Sequence, residues 1–185
     1  MCIRDRPTAA PTSTAIDMCE GDLLTLTANA TDAVSYTWTG PNGFTSTAVN
    51  PEITDVSVAN NGTYTLTIIG EGNCATTESI LVNNIQITPT IPTVTTNGPV
   101  CEVDVIVLSI QEQYVGTTVN YEWTNGGGTV IGNTRMMTIL PTDANAISPY
   151  RVSVTVDGCT SPLACLLYTS PSPRDLSTSR MPSSA

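Results

Sequence analysis

Cys19-Glu20-Gly21-Asp22-Leu23-Leu24-Thr25-Leu26 opens one half of this sequence, and Cys101-Glu102-Val103-Asp104-Val105-Ile106-Val107-Leu108 opens the other in the same pattern. Outward from each, the same landmarks return in the same order. Tyr36-Thr37-Trp38-Thr39 is matched by Tyr121-Glu122-Trp123-Thr124, Tyr64 by Tyr150, and Cys74 by Cys159. Cysteine to tryptophan is 19 residues in one half and 22 in the other; tryptophan to tyrosine is 26 and 27; tyrosine to cysteine is 10 and 9. Four landmarks at nearly constant spacing mark a duplication with a period of 82 residues. That period is long for a solenoid repeat and suits a small β domain.

Each half reads as strands. Leu24, Leu26 and Ala28 alternate with Thr25 and Thr27; Tyr64, Leu66 and Ile68 alternate with Thr63, Thr65 and Thr67. Tyr150, Val152, Val154 and Val156 alternate with Arg151, Ser153 and Thr155. A period of two with one polar face is the pattern of antiparallel strands half-buried in a sandwich. Gly40-Pro41-Asn42-Gly43, Asn60-Asn61-Gly62, Gly70-Glu71-Gly72-Asn73 and Asn125-Gly126-Gly127-Gly128 supply the turns. No stretch carries a helical period. Residues 87–99, with Pro89, Pro92 and Pro99, read as a semi-rigid linker into the second half.

Composition narrows the function. The 185 residues hold six Lys+Arg, sixteen Asp+Glu and no histidine, for a formal charge of −10. A nucleic-acid surface needs clustered cations, which this chain lacks. Chemistry that requires histidine is excluded, including Ser-His triads and His-ligated zinc. No run approaches the roughly 20 apolar residues of a spanning helix, so no membrane insertion is expected.

The ends differ in character from the middle. Met1-Cys2-Ile3-Arg4-Asp5-Arg6 resembles the translated mosaic end of a transposon sequencing adapter. Cys165-Leu166-Leu167-Tyr168-Thr169-Ser170 resembles the same element on the other strand, and Pro171-Ser172-Pro173-Arg174-Asp175 continues as its stem. Residues 1–6 and 165–185 are therefore expected to be adapter artefact, to be set aside from fold reasoning. The remainder is residues 7–87 as one domain and 88–164 as a second, truncated at its last strand. It keeps two cations, Arg135 and Arg151, against fourteen acids.

These residues resemble the immunoglobulin-like, PKD-type repeats of large secreted adhesin-type surface proteins of gliding bacteria. The resemblance rests on Cys-x-Gly-Asp-x-x-x-Leu, Tyr-x-Trp, Gly-Pro-Asn-Gly-Phe, Asn-Gly-Thr-Tyr-Thr-Leu and Gly-Asn-Cys in the first copy. It implies an all-β fold of two tandem immunoglobulin-like sandwiches. Trp38 and Trp123 take the place of the buried third-strand tryptophan, and Tyr64 and Tyr150 that of the corner tyrosine. Ala28 and Leu66 stand where antibody domains place their inter-sheet disulfide, and Ile110 and Val152 do so in the second copy, so that bond is absent. Ser148-Pro149 replaces Gly62-Thr63, which loosens the second corner's match.

Cys19, Cys74, Cys101 and Cys159 are the disulfide candidates. An even count in so polar a chain points to an oxidising compartment. Four cysteines allow three connectivities. Pairing within each copy is the simplest, yet a seven-residue strand spans about 23 Å and a disulfide needs Cα atoms within about 7 Å. A staple from Cys19 to Cys159 between neighbouring domains, or free thiols, remain open on the sequence.

Other sites weigh less against their structural readings. Asp22, Asp32, Asp55, Asp104 and Asp143 are oxygen donors for calcium, but no Asp-x-Asp-x-Asp-Gly loop is present. The threonine rows 25/27, 37/39 and 63/65/67 suit a hydroxyl array for ice or sugar, and equally a solvated strand face. Asn29 and Asn61 fit glycosylation sequons. Fourteen scattered acids imply no cleft for carboxylate-pair hydrolysis, so no catalytic residue, metal or cofactor is expected. The resemblance implies a non-catalytic spacer or adhesive module, secreted or displayed at the cell surface. Its partners would be neighbouring repeats and surface glycans or proteins. The alternative is a carbohydrate- or ligand-binding accessory module of a secreted hydrolase, with loops 40–47 and 125–133 carrying the binding.

Overall fold

A computed structural model describes residues 6–15, 17–98, 105–140 and 146–167. The chain divides into two compact units between Thr88 and Pro89.

In the first unit, β1 (Thr12–Ser13) pairs with β2 (Leu24–Thr27). β3 (Ser35–Thr39), β4 (Thr45–Ser46), β5 (Glu52–Ile53), β6 (Gly62–Ile69) and β7 (Ala75–Val82) follow. They form two antiparallel sheets, β1-β2-β5 and β7-β6-β3-β4. The period-two residues decide which faces meet. Leu24 and Leu26 of β2, Trp38 of β3, and Tyr64, Leu66 and Ile68 of β6 are all fully buried in one core with Val56, Val82 and Ala28. Thr25, Thr27, Thr37, Thr39, Thr63, Thr65 and Thr67 occupy the alternate positions and are half-buried or exposed. Each large apolar side chain taken from water contributes on the order of 1.5–3 kcal/mol.

The second unit repeats the plan. β8 (Val94–Thr96), β9 (Ile106–Ile110), β10 (Val119–Thr124), β11 (Val130–Gly132), β12 (Met136–Ile139), β13 (Tyr150–Val156), β14 (Cys159–Thr160) and β15 (Ala164–Leu166) form its sheets. One is β8-β9-β12; the other runs β11-β10-β13-β14, with β15 also on β13. Leu108, Trp123, Val152 and Val154 are fully buried, with Tyr150, Ile110, Ile139 and Ile106 beside them.

The last strand of this unit is split. Cys159–Thr160 pairs with the end of β13 and Ala164–Leu166 with its start. Between them the Ser161 hydroxyl accepts from Val154 N–H at 3.0 Å, while Ser161 N–H donates to Val154 carbonyl at 2.8 Å. Pro162 follows and has no N–H to offer, so the ladder breaks there. Of β15 only Ala164 falls within residues 88–164; Cys165 and Leu166 come from the tract read as adapter.

Candidate functional site

The sandwich poles carry the chain's special chemistry. Tyr64, on β6, lies wholly inside the first core, yet its hydroxyl donates to the Asn60 carbonyl at 2.9 Å. Residues 58–60 form a single 3₁₀ turn. Asn60 holds it by accepting from Ser57 N–H at 2.9 Å through its side-chain oxygen. Burial pushes the Tyr64 phenol above its ordinary value, with the Asn60 hydrogen bond acting in the other direction. Gly40 is packed flat on the ring: a Cβ there would stand 2.6 Å from Tyr64 Cε1. Phe44 meets Tyr64 edge-on, with centroids 5.5 Å apart, so this loop-tip aromatic folds under the turn. Asn61 fixes the outgoing chain by donating to Ile85 carbonyl at 2.9 Å and accepting from Ile85 N–H at 3.1 Å.

The duplication reaches individual hydrogen bonds. Trp38 Nε1 donates to the carbonyl of Val49, and Trp123 Nε1 to that of Thr134, eleven residues on in both copies. One residue further, Asn50 accepts from Ala28 N–H at 3.1 Å through its side chain, and Arg135 Nε donates to Ile110 carbonyl at 3.1 Å. Two different side chains thus brace the end of the second strand in the two copies. Sequence reasoning passed over both, because donor and acceptor roles are reversed between them; the constant offset from tryptophan was the available signal. Tyr150 is buried at the matching position, after a cis Ser148-Pro149 bond.

Cys19, Cys74 and Cys159 are all disulfide-bonded, and Cys165 is free and exposed. Cys101 lies outside the described residues. Cys19 ends a two-residue strand that pairs with Ile85–Gln86, and its N–H donates to the Asp22 carboxylate at 2.8 Å. Cys74 sits in the turn that opens β7, where Gly70 N–H donates to its carbonyl. All of β7, eight residues, runs from Cys74 toward the pole where Ile85 meets Met18. That length is about 26 Å, whereas bonded cysteines need Cα atoms within about 7 Å. Pairing of Cys19 with Cys74, the simplest expectation for this copy, is therefore excluded by geometry. Cys159 follows an Asp157-Gly158 turn with positive φ at both residues, the hairpin geometry that Asp-Gly favours.

The acids act mainly on backbone. Asp157 accepts from Thr117 and Thr118 N–H at 3.1 and 2.8 Å, and these bonds, Thr118 first, hold its carboxyl below the ordinary value. Glu112 is likewise lowered, mainly by its bond to Thr93. Asp22 serves Cys19, and Asp32 and Asp55 adopt positive φ in turns. Asp104 and Asp143 lie outside the described residues. Among the described residues no three His, Cys, Asp or Glu side chains gather as a metal site. A shallow recess of about 300 Å³ is lined by Asp32, Ala33, Val34 and Glu71. On the outer face, strand register aligns Thr37, Thr67 and Thr77 in one row and Thr39, Thr65 and Ser79 in the next. Loop 40–47 turns its aromatic inward as described, and loop 125–133 is fastened by Asn125, whose side-chain oxygen accepts from Gly127 and Thr129 N–H. Among the described residues no helix is long and apolar enough to cross a membrane.

No family model and no curated protein matches the sequence. Among solved structures, the N-terminal eight Ig domains of Down Syndrome Cell Adhesion Molecule align over 85% of this chain and 27% of theirs, at 15% identity and TM-score 0.59. The fold is immunoglobulin-like. The mouse coronavirus receptor-binding domain complexed with its murine receptor gives 14% identity over 86% of this chain and 98% of that one, at TM-score 0.49. Murine CEACAM1b gives 15% identity over the same shares, at TM-score 0.44. At these identities the likeness concerns architecture alone. The immunoglobulin-like reading accounts for the three-plus-four sheet plan of the first unit, for the three- and five-stranded sheets of the second, whose last strand is split, and for the buried tryptophan and corner tyrosine.

Proposed function

We propose that this chain is a piece of a longer row of immunoglobulin-like modules in a secreted or surface-displayed bacterial protein, where the modules serve as non-catalytic spacer or adhesive units. The observation that carries the reading is the duplication itself. Two sandwiches repeat the same sheets, the same buried tryptophan and the same indole hydrogen bond eleven residues on. Selection that keeps bracing of this kind in successive copies favours mechanical sameness, which suits length and load-bearing. The bonded cysteines fit an oxidising, extracellular setting. Neighbouring repeats of the same kind are the first partners of such a module, and surface glycans or proteins the second. Residues 1–6 and 165–185 belong to the preparation of the DNA and take no part in this role, while residues 7–164 carry the PKD-like pattern.

Reading the complete gene from long genomic fragments tests this. Further copies of the Cys, Tyr-x-Trp, Tyr, Cys pattern are expected on both sides, with the end tracts replaced by ordinary module sequence. A catalytic domain joined directly to this pair, with no further copies, would overturn the spacer reading in favour of an accessory module.

A further inference from the structure

Asparagine followed by glycine occurs four times, at 42–43, 61–62, 97–98 and 125–126. Such a pair is self-reactive: the glycine backbone nitrogen attacks the asparagine side-chain carbonyl carbon, and a succinimide ring closes with loss of ammonia. Glycine permits the attack because no Cβ crowds that nitrogen. The fold treats the four pairs differently. Asn61 is held at both ends of its amide, donating to Ile85 carbonyl at 2.9 Å and accepting from Ile85 N–H at 3.1 Å. Asn97 likewise donates to Val105 carbonyl at 2.8 Å and accepts from Val107 N–H at 3.0 Å. Asn125 accepts from Gly127 and Thr129 N–H at 3.0 and 2.9 Å. Each of these side chains has to release two hydrogen bonds before its carbonyl carbon can swing onto the next nitrogen. Gly62 and Gly126 are also crowded: a Cβ would stand 2.7 Å from Pro41 Cγ in the first and collide with the Ser148 carbonyl in the second. Asn42 is different. It is exposed, and its side chain makes no hydrogen bond among the described residues. Outside the chain neighbours of Gly43, no atom lies within 4 Å of the place a Cβ would take there.

Asn42 also stands where a change is felt. Its φ of 54° and ψ of 29° are the left-handed conformation that asparagine tolerates. Around it, Phe44 N–H donates to Pro41 carbonyl at 3.1 Å and Gly40 N–H donates to Phe44 carbonyl at 2.9 Å. This turn sets the Phe44 ring edge-on to Tyr64, with centroids 5.5 Å apart. We propose that Asn42 is a self-modification site, at which slow conversion to isoaspartate unfastens this turn from the corner tyrosine. Gly43 nitrogen bonds to Asn42 Cγ and gives its proton to solvent base, while Nδ2 takes up a proton and leaves as ammonia. Water then adds to one of the two ring carbonyls and the ring opens, with no change of oxidation state. Opening at Cγ gives aspartate. Opening at the main-chain carbonyl gives isoaspartate, in which the chain runs through Cβ and Cγ and gains one backbone atom. Both products add one negative charge. The extra atom of isoaspartate falls inside the ring closed by the Pro41-to-Phe44 hydrogen bond, so that ring opens and Phe44 leaves Tyr64. Aspartate keeps the chain length and the turn. The chemistry goes beyond the spacer reading and is independent of it.

The test ages the full chain in mildly alkaline buffer, with and without urea, and digests it in acid. Peptides carrying asparagine, aspartate and isoaspartate are then separated and identified by mass. In the folded chain residue 42 is expected to react about thirtyfold faster than Asn61, Asn97 or Asn125, the factor that two net hydrogen bonds supply. In urea the four rates should converge. Equal rates in the folded chain, or a faster reaction at any of the other three, would overturn the site. The consequence is read separately by urea unfolding in a Trp123→Phe background, where Trp38 reports on the first module. The aged fraction, collected by anion exchange, is compared with Asn42→Asp, which carries the same charge without the extra backbone atom. The aged fraction is expected to unfold at lower urea than Asn42→Asp. Coincident unfolding of the two would overturn the release of Phe44 from Tyr64.

Discussion

Replacing Tyr64 by phenylalanine removes one buried oxygen from the first module and nothing else. That hydroxyl is inside the core and donates to the Asn60 carbonyl at 2.9 Å. A neutral buried hydrogen bond is worth about 0.5–1.5 kcal/mol net, and an acceptor left unsatisfied costs about 1–3 kcal/mol. The ring itself stays packed against Gly40 and Phe44, so no cavity term is added. The expected loss is therefore about 2 kcal/mol. For a domain of roughly 80 residues, about 4–8 °C per kcal/mol lowers Tm by roughly 8–16 °C. The assay is urea unfolding followed by tryptophan fluorescence in a Trp123→Phe background, where Trp38 alone reports on the first module. Tyr36→Phe is the control, because Tyr36 is only half-buried on the same sheet. A loss below about 0.5 kcal/mol, or an equal loss in the control, would refute the claim that the corner bond fastens this core.

Gly40→Ala should cost about 1–3 kcal/mol by overpacking, because its Cβ would stand 2.6 Å from Tyr64 Cε1; calorimetry of the single and double variants with Tyr64→Phe should reveal coupling. Asn61→Ala deletes both bonds to Ile85 and should lower stability by about 1–3 kcal/mol, with faster amide exchange at Ile85 as the local readout. Trp38→Ala should unfold the first module alone, since such truncations cost about 3–5 kcal/mol, while Trp123 fluorescence keeps its folded emission. Asp157 titrates below the ordinary carboxylate range when folded. Its contribution is thus present above the unfolded pKa of about 3.9 and lost as pH falls through the lower folded value. Amide shifts of Thr117 and Thr118 should move only in that acid window, and Asp157→Asn should abolish the movement.

Much of this protein could be read before any coordinates. The alternation of Leu24, Leu26 and Ala28 with threonine, and of Tyr64, Leu66 and Ile68 with threonine, specified strands with one buried face, because side chains alternate with a period of two. Constant spacing between cysteine, tryptophan, tyrosine and cysteine specified two copies of one sandwich. Only the folded chain decided what the polar side chains do. Asn50 and Arg135 occupy the same offset from their tryptophans but brace the strand with opposite polarity, one accepting and one donating. Asp157 reaches residues 117 and 118 across the module, a contact between segments about forty positions apart that no local pattern encodes. The cysteines make the same point most sharply. Their number and spacing are written in the sequence, but the impossibility of joining Cys19 to Cys74 is not. A disulfide depends on a separation of a few ångströms, and β7 fixes that separation only once it has found its place in the sheet.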